Sequence, residues 1–337
     1  MSGIWLYLAA LIVSTGTTAL LTPLIVRLAT HIGMLDQGEE ERRVHEAPTP
    51  RIGGVAVFTG FAFALFAVLG VALAHGNFFH DLGDIHEFLG LLFGSTLILG
   101  VGLWDDIMHM RPRNKLVAQI VVALISMAYG FVIKDIKIPF TADYVKFSPW
   151  VAYPLTVLWY VGMMNAINFI DGLDGLLSGV TAISGLFLFA IALLHHHAVV
   201  ALVTIALAGA ALGFLPYNFN PAKIFLGDCG SLFIGFVFAT LSVMGEGSKK
   251  AIAIGLLVPL LVLALPVLDT AAVILRRWRS GKNITEADRG HFHHHLIFRF
   301  GLDVRQAVLL IYAVCILLGA TALALEGGFG HFAAGAP

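Results

Sequence analysis

Charge is the scarcest commodity in this chain. Of 337 residues only 12% are charged, about half the share of an ordinary soluble domain. The hydrophobic share is 58%. Together these exclude a soluble globular domain. Cysteine is nearly absent: Cys229 and Cys315 are the two in the chain, which excludes a disulfide framework and a cysteine zinc site. No GxxxxGK[ST] loop and no strand-to-helix GxGxxG occurs, so the usual soluble phosphate cradles are excluded. No basic residue precedes the first apolar stretch, Ile4 to about Leu28. That stretch is too long for the core of a cleavable signal and reads as a span. No internal repeat or linker interrupts the sequence, so residues 1–337 read as one integral membrane domain.

What is present is a series of apolar runs, each near the ~20 residues a membrane helix needs. Ten spans are expected, at about 4–28, 52–74, 87–104, 115–133, 149–166, 175–194, 198–215, 229–245, 250–275 and 305–325. The fold class is therefore an all-α polytopic membrane protein. Pro259 and Pro266 predict a kinked or broken ninth helix. The segment alternating around Ile136, Lys137 and Ile138 predicts a short hairpin. Of the 20 Lys and Arg residues, 15 fall in or beside the loops after odd-numbered spans and 5 on the other side. Basic residues favour the cytoplasm, so the odd loops are expected inside and both termini outside.

Five aspartates lie at the ends of these runs, all on the expected cytoplasmic side: Asp105 and Asp106, Asp171 and Asp174, and Asp228. A carboxylate at the bilayer centre costs about 2.5–3.5 kcal/mol. Five acids are more easily kept at a shared hydrated mouth, where a divalent cation or hydrogen-bond donors balance them. Neighbouring side chains on a helix point ~100° apart, so Asp105 and Asp106 are expected to serve different partners. The run Asn165 to Gly175 places amides and two acids before a new helix, with glycines that permit close approach. Asp174 in it also reads as a simple helix cap. Asp228 follows Phe225 and Gly227; it reads as a Mg²⁺ ligand beside substrate phosphate or, again, as a cap.

The histidines divide into two groups. His291, His293, His294 and His295 lie in a basic loop on the acidic side. Adjacent histidines do not converge well on one zinc ion, and imidazoles donate to phosphate. His195-His196-His197 falls on the outer side in a tight turn with no acid nearby in sequence and reads as structural. Asp269, after Pro266 in the ninth span, reads as satisfying backbone groups freed by the proline.

With these residues in view, the chain resembles the polyprenyl-phosphate N-acetylhexosamine-1-phosphate transferases. The resemblance runs from about His45 to His295. It rests on Val44 to Gly54, Asp105-Asp106, Asn165 to Leu176, Phe225 to Ser231 and Asp288 to Leu296, in matching order. It implies that a polyprenyl phosphate attacks the sugar-linked phosphorus of a UDP-amino sugar, forming the polyprenyl-diphospho-sugar and releasing UMP, with Mg²⁺ as cofactor and Mn²⁺ able to substitute. It further implies Asp228 as metal ligand with Asn168 as a second, and Asp174 and the Leu173 backbone reading uracil with Phe225 stacked on it. Asp105 and Asp106 would handle the lipid phosphate, and which of them acts as a base stays open. Asp171 would belong to the catalytic set, and His291, His293 and His294 would contact the sugar-diphosphate, with His295 beside them. Muramoyl-pentapeptide-using relatives read Pro-x-His-His-His-x-Glu in the histidine loop, whereas this chain resembles the branch that uses UDP-GlcNAc. Those muramoyl relatives also carry a lysine in the segment matching 44–54; here His45 or Arg51 would take its place.

The expectation is thus a transferase of GlcNAc-1-phosphate to undecaprenyl phosphate, multi-pass in the bacterial inner membrane with its active site toward the cytoplasm. Its partners would be UDP-N-acetylhexosamine, undecaprenyl phosphate and membrane lipid, without nucleic acid; a homodimer is left open. One alternative is the phospho-N-acetylmuramoyl-pentapeptide transferase. A divalent-cation or proton-coupled transporter is the alternative of another class, disfavoured because transporter acids sit near the bilayer midplane.

Overall fold

The computed structural model describes residues 4–36, 49–75, 85–137, 144–244 and 301–334. Long apolar runs form helices because, away from water, each backbone N–H and C=O must be satisfied within its own segment. Nine helices form among the described residues: α1 (Ile4–His31), α2 (Gly54–His75), α3 (Ile85–Met108), α4 (Pro112–Ala128), α5 (Pro149–Ile170), α6 (Leu176–Leu194), α7 (Ala198–Asn218), α8 (Gly227–Val243) and α9 (Val304–Ala334). Two small antiparallel ladders accompany them. Strand β1 (Leu35–Asp36) pairs with β2 (Thr49–Pro50), and β3 (Asp135–Lys137) pairs with β4 (Tyr144–Lys146). The second ladder is the hairpin expected around Ile136. Six of the helices are long and apolar enough to cross a membrane, and the chain is a helical, multi-pass membrane protein.

Helix α1 shows how its residues are sorted. It exposes Trp5, Leu8, Ile12, Leu20 and Leu24 and buries Ser14, Thr18 and Thr22. That is the reverse of a soluble helix. Lipid offers no hydrophobic reward for burying leucine, so small residues take the contact face and let backbones approach. A Cβ on Gly60 would lie 1.9 Å from Thr18 Oγ1, and one on Gly209 2.0 Å from Ser14 Oγ. Helix α1 accordingly packs on α2 and α7, α7 on α6, and α6 on α9.

Helix α8 is the buried axis of the other half, packed by α2, α3 and α5. Every residue from Cys229 to Val243 is buried. A Cβ on Gly54 would meet the Gly230 backbone at 2.2 Å, and one on Gly102 the Cys229 Cα at 2.4 Å. Interhelical hydrogen bonds fix the register farther along: Trp159 Nε1 donates to Ser242 Oγ at 2.7 Å and Tyr160 OH to Thr240 Oγ1 at 3.1 Å. Each such bond contributes ~0.6 kcal/mol in a membrane, so alignment owes more to close packing than to any one of them.

One expectation is adjusted here and another lies outside the described residues. Helix α3 runs to Met108 rather than stopping near 104, because the Asp105 carbonyl still accepts from His109 N at 2.9 Å. The acids are satisfied within the protein, so the helix need not end before them. The expected ninth span, with Pro259, Pro266 and Asp269, lies outside the described residues; α9 covers the expected tenth.

Candidate active site

Helices α3, α4, α5 and α8 bring their polar ends to one place. Asp105 Oδ2 and Asp228 Oδ2 each lie 2.8 Å from Lys115 Nζ. Lys115 sits in the first turn of α4, after Pro112 has opened the helix. Asp228 is held from its other oxygen, where Asn168 Nδ2 donates to Oδ1 at 2.5 Å; the same amide nitrogen lies 2.7 Å from Ser231 Oγ. Asp105 also accepts from Met110 N at 2.7 Å. One turn deeper, Gln119 and Asn165 join α4 to α5 through Asn165 Nδ2 to Gln119 Oε1 at 2.6 Å.

Asp106 has a different task. Its carboxylate accepts from Asp228 N at 2.8 Å and Cys229 N at 2.9 Å. These are orphan donors of the α8 N-terminus, so a residue of α3 caps α8 across the bundle. Arg51 Nε lies 3.6 Å from the same carboxylate. The expectation that the two adjacent acids serve different partners is met. The cap reading of Asp228 itself is not: α8 has no side-chain cap at Leu226, and Asp228 lies in the first turn with both oxygens engaged elsewhere.

Segment 50–54 is strapped to the loop before α8. Phe225 N donates to Pro50 O at 2.7 Å, Gly53 N to Phe225 O at 2.9 Å and Gly54 N to Leu226 O at 2.7 Å. Gly227, at φ +75°, faces the Arg51 carbonyl so closely that a Cβ would lie 1.9 Å away. This strap places Arg51 and Phe225 at the edge of the acidic cluster.

The turn 171–175 forms the other wall. Asp174 does not cap α6. Its Oδ2 accepts from Asn220 Nδ2 and from Ala222 N, both at 3.0 Å. The cap position is Gly175, in a left-handed conformation at φ +80° that glycine adopts without strain. Asn218 Oδ1 receives Gly175 N at 3.2 Å and Ser178 Oγ at 2.6 Å. Leu173 is buried between the two loops, and its carbonyl accepts from Leu176 N at 3.0 Å. Asp171 stands beside the cluster. Burial pushes its carboxyl up to about 8, and the negative charges of Asp228 and Asp106 add to this against the opposing Arg51. A carboxyl raised by burial and by neighbouring carboxylates sits where added positive charge would be favourable.

The structure therefore gathers Asp105, Asp106, Asn168, Asp171 and Asp228 around one centre, with Arg51, Leu173, Asp174 and Phe225 at its rim. His45, His291, His293, His294 and His295 lie outside the described residues. Lys115 was counted in the sequence only as a topological charge. Its signal was there: a lysine at the mouth of an apolar helix, with Gln119 one turn on, needs an acidic partner. No group of three or more His, Cys, Asp or Glu side chains among the described residues is arranged as a ready metal cage. The oxygen donors nonetheless suit a hard divalent cation. Asp105 and Asp228 already direct one carboxylate oxygen each at a single cationic point, the Lys115 ammonium.

Comparison with known proteins agrees with this arrangement. Residues 88–246 match the family model described as glycosyl transferase family 4. A probable undecaprenyl-phosphate N-acetylglucosaminyl 1-phosphate transferase of Bacillus subtilis (strain 168) is 36% identical over 317 residues, covering 94% of this chain and 84% of the relative. A decaprenyl-phosphate N-acetylglucosaminephosphotransferase of Mycobacterium tuberculosis is 34% identical over 304 residues, covering 85% of this chain and 74% of that protein. An undecaprenyl-phosphate alpha-N-acetylglucosaminyl 1-phosphate transferase of Escherichia coli (strain K12) is 27% identical over 311 residues, 91% of this chain and 80% of its own length. A relative above a third identical along nearly the whole chain, and a family match across the helices that build the acidic cluster, lead to one conclusion: the chain belongs to the polyprenyl-phosphate N-acetylhexosamine-1-phosphate transferases of glycosyl transferase family 4.

Proposed function

We propose that this protein transfers N-acetylglucosamine-1-phosphate from UDP-GlcNAc to undecaprenyl phosphate, releasing UMP, as the first membrane step of a cell-envelope glycan. One observation carries the reading: Lys115 Nζ lies 2.8 Å from both Asp105 and Asp228, in a cluster of four aspartates with Asp174 at its rim. A cationic point shared by two carboxylates, edged by Arg51, is a place for phosphate groups and their counter-ion.

In the reaction an oxygen of the lipid phosphate bonds to the sugar-linked phosphorus. The bridge from that phosphorus to the UMP oxygen breaks, and UMP leaves with the electron pair. Asp228 with Asn168 would hold Mg²⁺, and the bound ion supplies charge neutralisation on the diphosphate; Mn²⁺ would serve in its place. Lys115 and Arg51 place positive charge where negative charge develops. Asp105 is the acid less committed to holding the fold, since its bonds run to the Lys115 side chain and to one backbone N–H. Asp106 is committed to the α8 N-terminus, so Asp105 is the better candidate to receive the lipid phosphate or its proton. Asp174, the Leu173 backbone and Phe225 would hold the uracil. His291, His293 and His294, with His295, would meet the sugar-diphosphate, and His45 would lie on the same face.

The asymmetry of 15 against 5 basic residues supports an active site facing the cytoplasm of a bacterial plasma membrane with both termini outside, and the apolar runs with Pro259 and Pro266 support ten spans with a kinked ninth. The test is incubation of the purified protein with Mg²⁺, undecaprenyl phosphate and a panel of UDP-sugars, reading UMP release. Release with UDP-GlcNAc is expected. Release confined to UDP-MurNAc-pentapeptide would replace the donor, and no release with any UDP-sugar would remove the reading.

A further inference from the structure

The base-reading turn is held from a helix that belongs to no part of the acidic cluster. Helix α9 packs along α6, and its first three turns reach both loops of the proposed uracil site. Tyr312 OH donates to the Gly175 carbonyl. The ring of Tyr312 fills the space over Gly179, where a Cβ would lie 2.0 Å from it. About two helical turns earlier, Arg305 Nε donates to the Asn220 carbonyl at 3.0 Å. Asn220 is the residue whose side-chain amide holds Asp174 Oδ2. So both backbone carbonyls that frame Asp174, one in its own turn and one in the loop opposite, are tied to the same helix.

We infer that α9 is the positioning element of the donor's nucleotide site, with Tyr312 and Arg305 as positioning residues that set the orientation of the Asp174 carboxylate. The physical reason is the geometry of the turn. Gly175 is left-handed at φ +80°, and its carbonyl opens the α6 ladder, accepting from Gly179 N at 3.0 Å and from Ser178 Oγ at 3.2 Å. Tyr312 adds a donor from a different helix and so ties this turn to α9. Asp174 is the residue immediately before, and rotation of the Gly175 peptide would swing its side chain away from Asn220 and Ala222. Arg305 fixes the opposite loop in the same way, through a carbonyl that a side-chain substitution at Asn220 would leave in place. Neither residue touches the acidic centre, so their effect falls on binding of the nucleotide and leaves the chemical step alone.

This inference rests on the reading of Asp174 as the uracil contact, and the experiment separates the two. The full-length protein is purified in detergent, UMP affinity is measured by calorimetry, and steady-state rates are measured with UDP-GlcNAc. Tyr312→Phe keeps the ring over Gly179 and removes the hydroxyl. It is expected to weaken UMP binding about three- to tenfold, the range of one lost hydrogen bond. KM for the donor should rise by the same factor with kcat and melting temperature unchanged. Arg305→Met should act in the same direction, and the double variant should lose more than either. Glu326→Gln breaks the ion pair of α9 with His195, 3.0 Å at the far end of the helix, and should leave UMP affinity as it is. Normal UMP binding by Tyr312→Phe and Arg305→Met, in a protein where Asp174→Ala has lost it, overturns the role of α9. An equal loss in Glu326→Gln also overturns it, because looser helix docking would then be the cause. Normal UMP binding by Asp174→Ala overturns the base-reading assignment beneath it.

Discussion

Helices α6 and α8 start in the same manner and end up with different chemistry. Each opens at a left-handed glycine, Gly175 at φ +80° just before α6 and Gly227 at φ +75° as the first residue of α8. Each has an aspartate beside that glycine, Asp174 or Asp228. Neither aspartate caps its own helix; the N–H groups are taken by a residue from elsewhere in the fold. At α8 that residue is a charged one, Asp106, and Asp228 turns to a lysine. At α6 it is a neutral amide, Asn218, and Asp174 turns to an amide and a backbone N–H. The local motif releases the carboxylate from capping its own helix and turns it toward a partner from elsewhere in the fold. The partner that arrives decides between a charged centre suited to phosphate chemistry and a polar wall suited to reading a base.

The comparison breaks first at α8. Asp228→Asn should lower kcat by more than about a thousandfold, the scale of losing charge stabilisation on a transferring phosphate. The fold should survive, because Asp106 still caps the α8 N-terminus and the Asn oxygen can accept from one of the two donors. Turnover within tenfold of the parent would end the assignment of α8 as the reaction side. Lys115→Met leaves Asp105 and Asp228 facing each other without their shared cation. A kcat loss of about 10²–10³ is expected, and raising Mg²⁺ should recover part of it. A KM effect alone would place Lys115 outside the chemical step.

At α6 the losses should be smaller and of another kind. Asp174→Ala should raise KM for the UDP-sugar about five- to a hundredfold, from the 1–3 kcal/mol of an unpaired donor, with kcat kept. Exchange of the capping partners sharpens the contrast further. Asp106→Ala removes a charged cap from buried N–H groups and should cost about 1–2 kcal/mol of stability, whereas Asn218→Ala should cost about 1. Thermal unfolding of both variants in detergent gives the order, and equal losses would mean that charge adds nothing at α8.

The last effect is a slope with pH. The Asp171 carboxyl is raised from its ordinary 3.8 to about 8 in the folded chain. Between those values the unfolded chain has released the proton and the folded chain keeps it. The folded state binds more protons there, so stability falls as pH rises from about 4 to 8 and levels off above. Asp171→Asn should flatten that decline in Mg²⁺-free protein, read as melting temperature across pH 5–9. A parent protein whose melting temperature does not fall over this range contradicts the burial of that carboxyl.

The amino-acid sequence by itself determined the solvent this protein lives in. Apolar runs, their lengths and the scarcity of charge oblige helices in lipid, and eight of the ten expected spans before and after residues 250–275 begin within a few residues of the observed helices. The ninth match, α4, starts at Pro112 rather than 115. The ends of those runs also displayed all five aspartates, Asn168, Arg51 and Phe225. Tertiary structure alone decided what each of them does. Lys115 meets Asp228 across 113 positions and Asp106 meets the Cys229 N–H across 123; Arg305 reaches Asn220 across 85. His195, read as having no acid near it, finds Glu326 at 3.0 Å across 131. Sequence patterns are local: a period of 3.6 residues tells which face a residue occupies and nothing about which helix comes to face it. In this bundle the glycines at 54, 102, 179 and 230 set those distances by allowing backbones and rings to touch. The charges could be counted along the chain, but their pairing was fixed only once the helices had closed on one another.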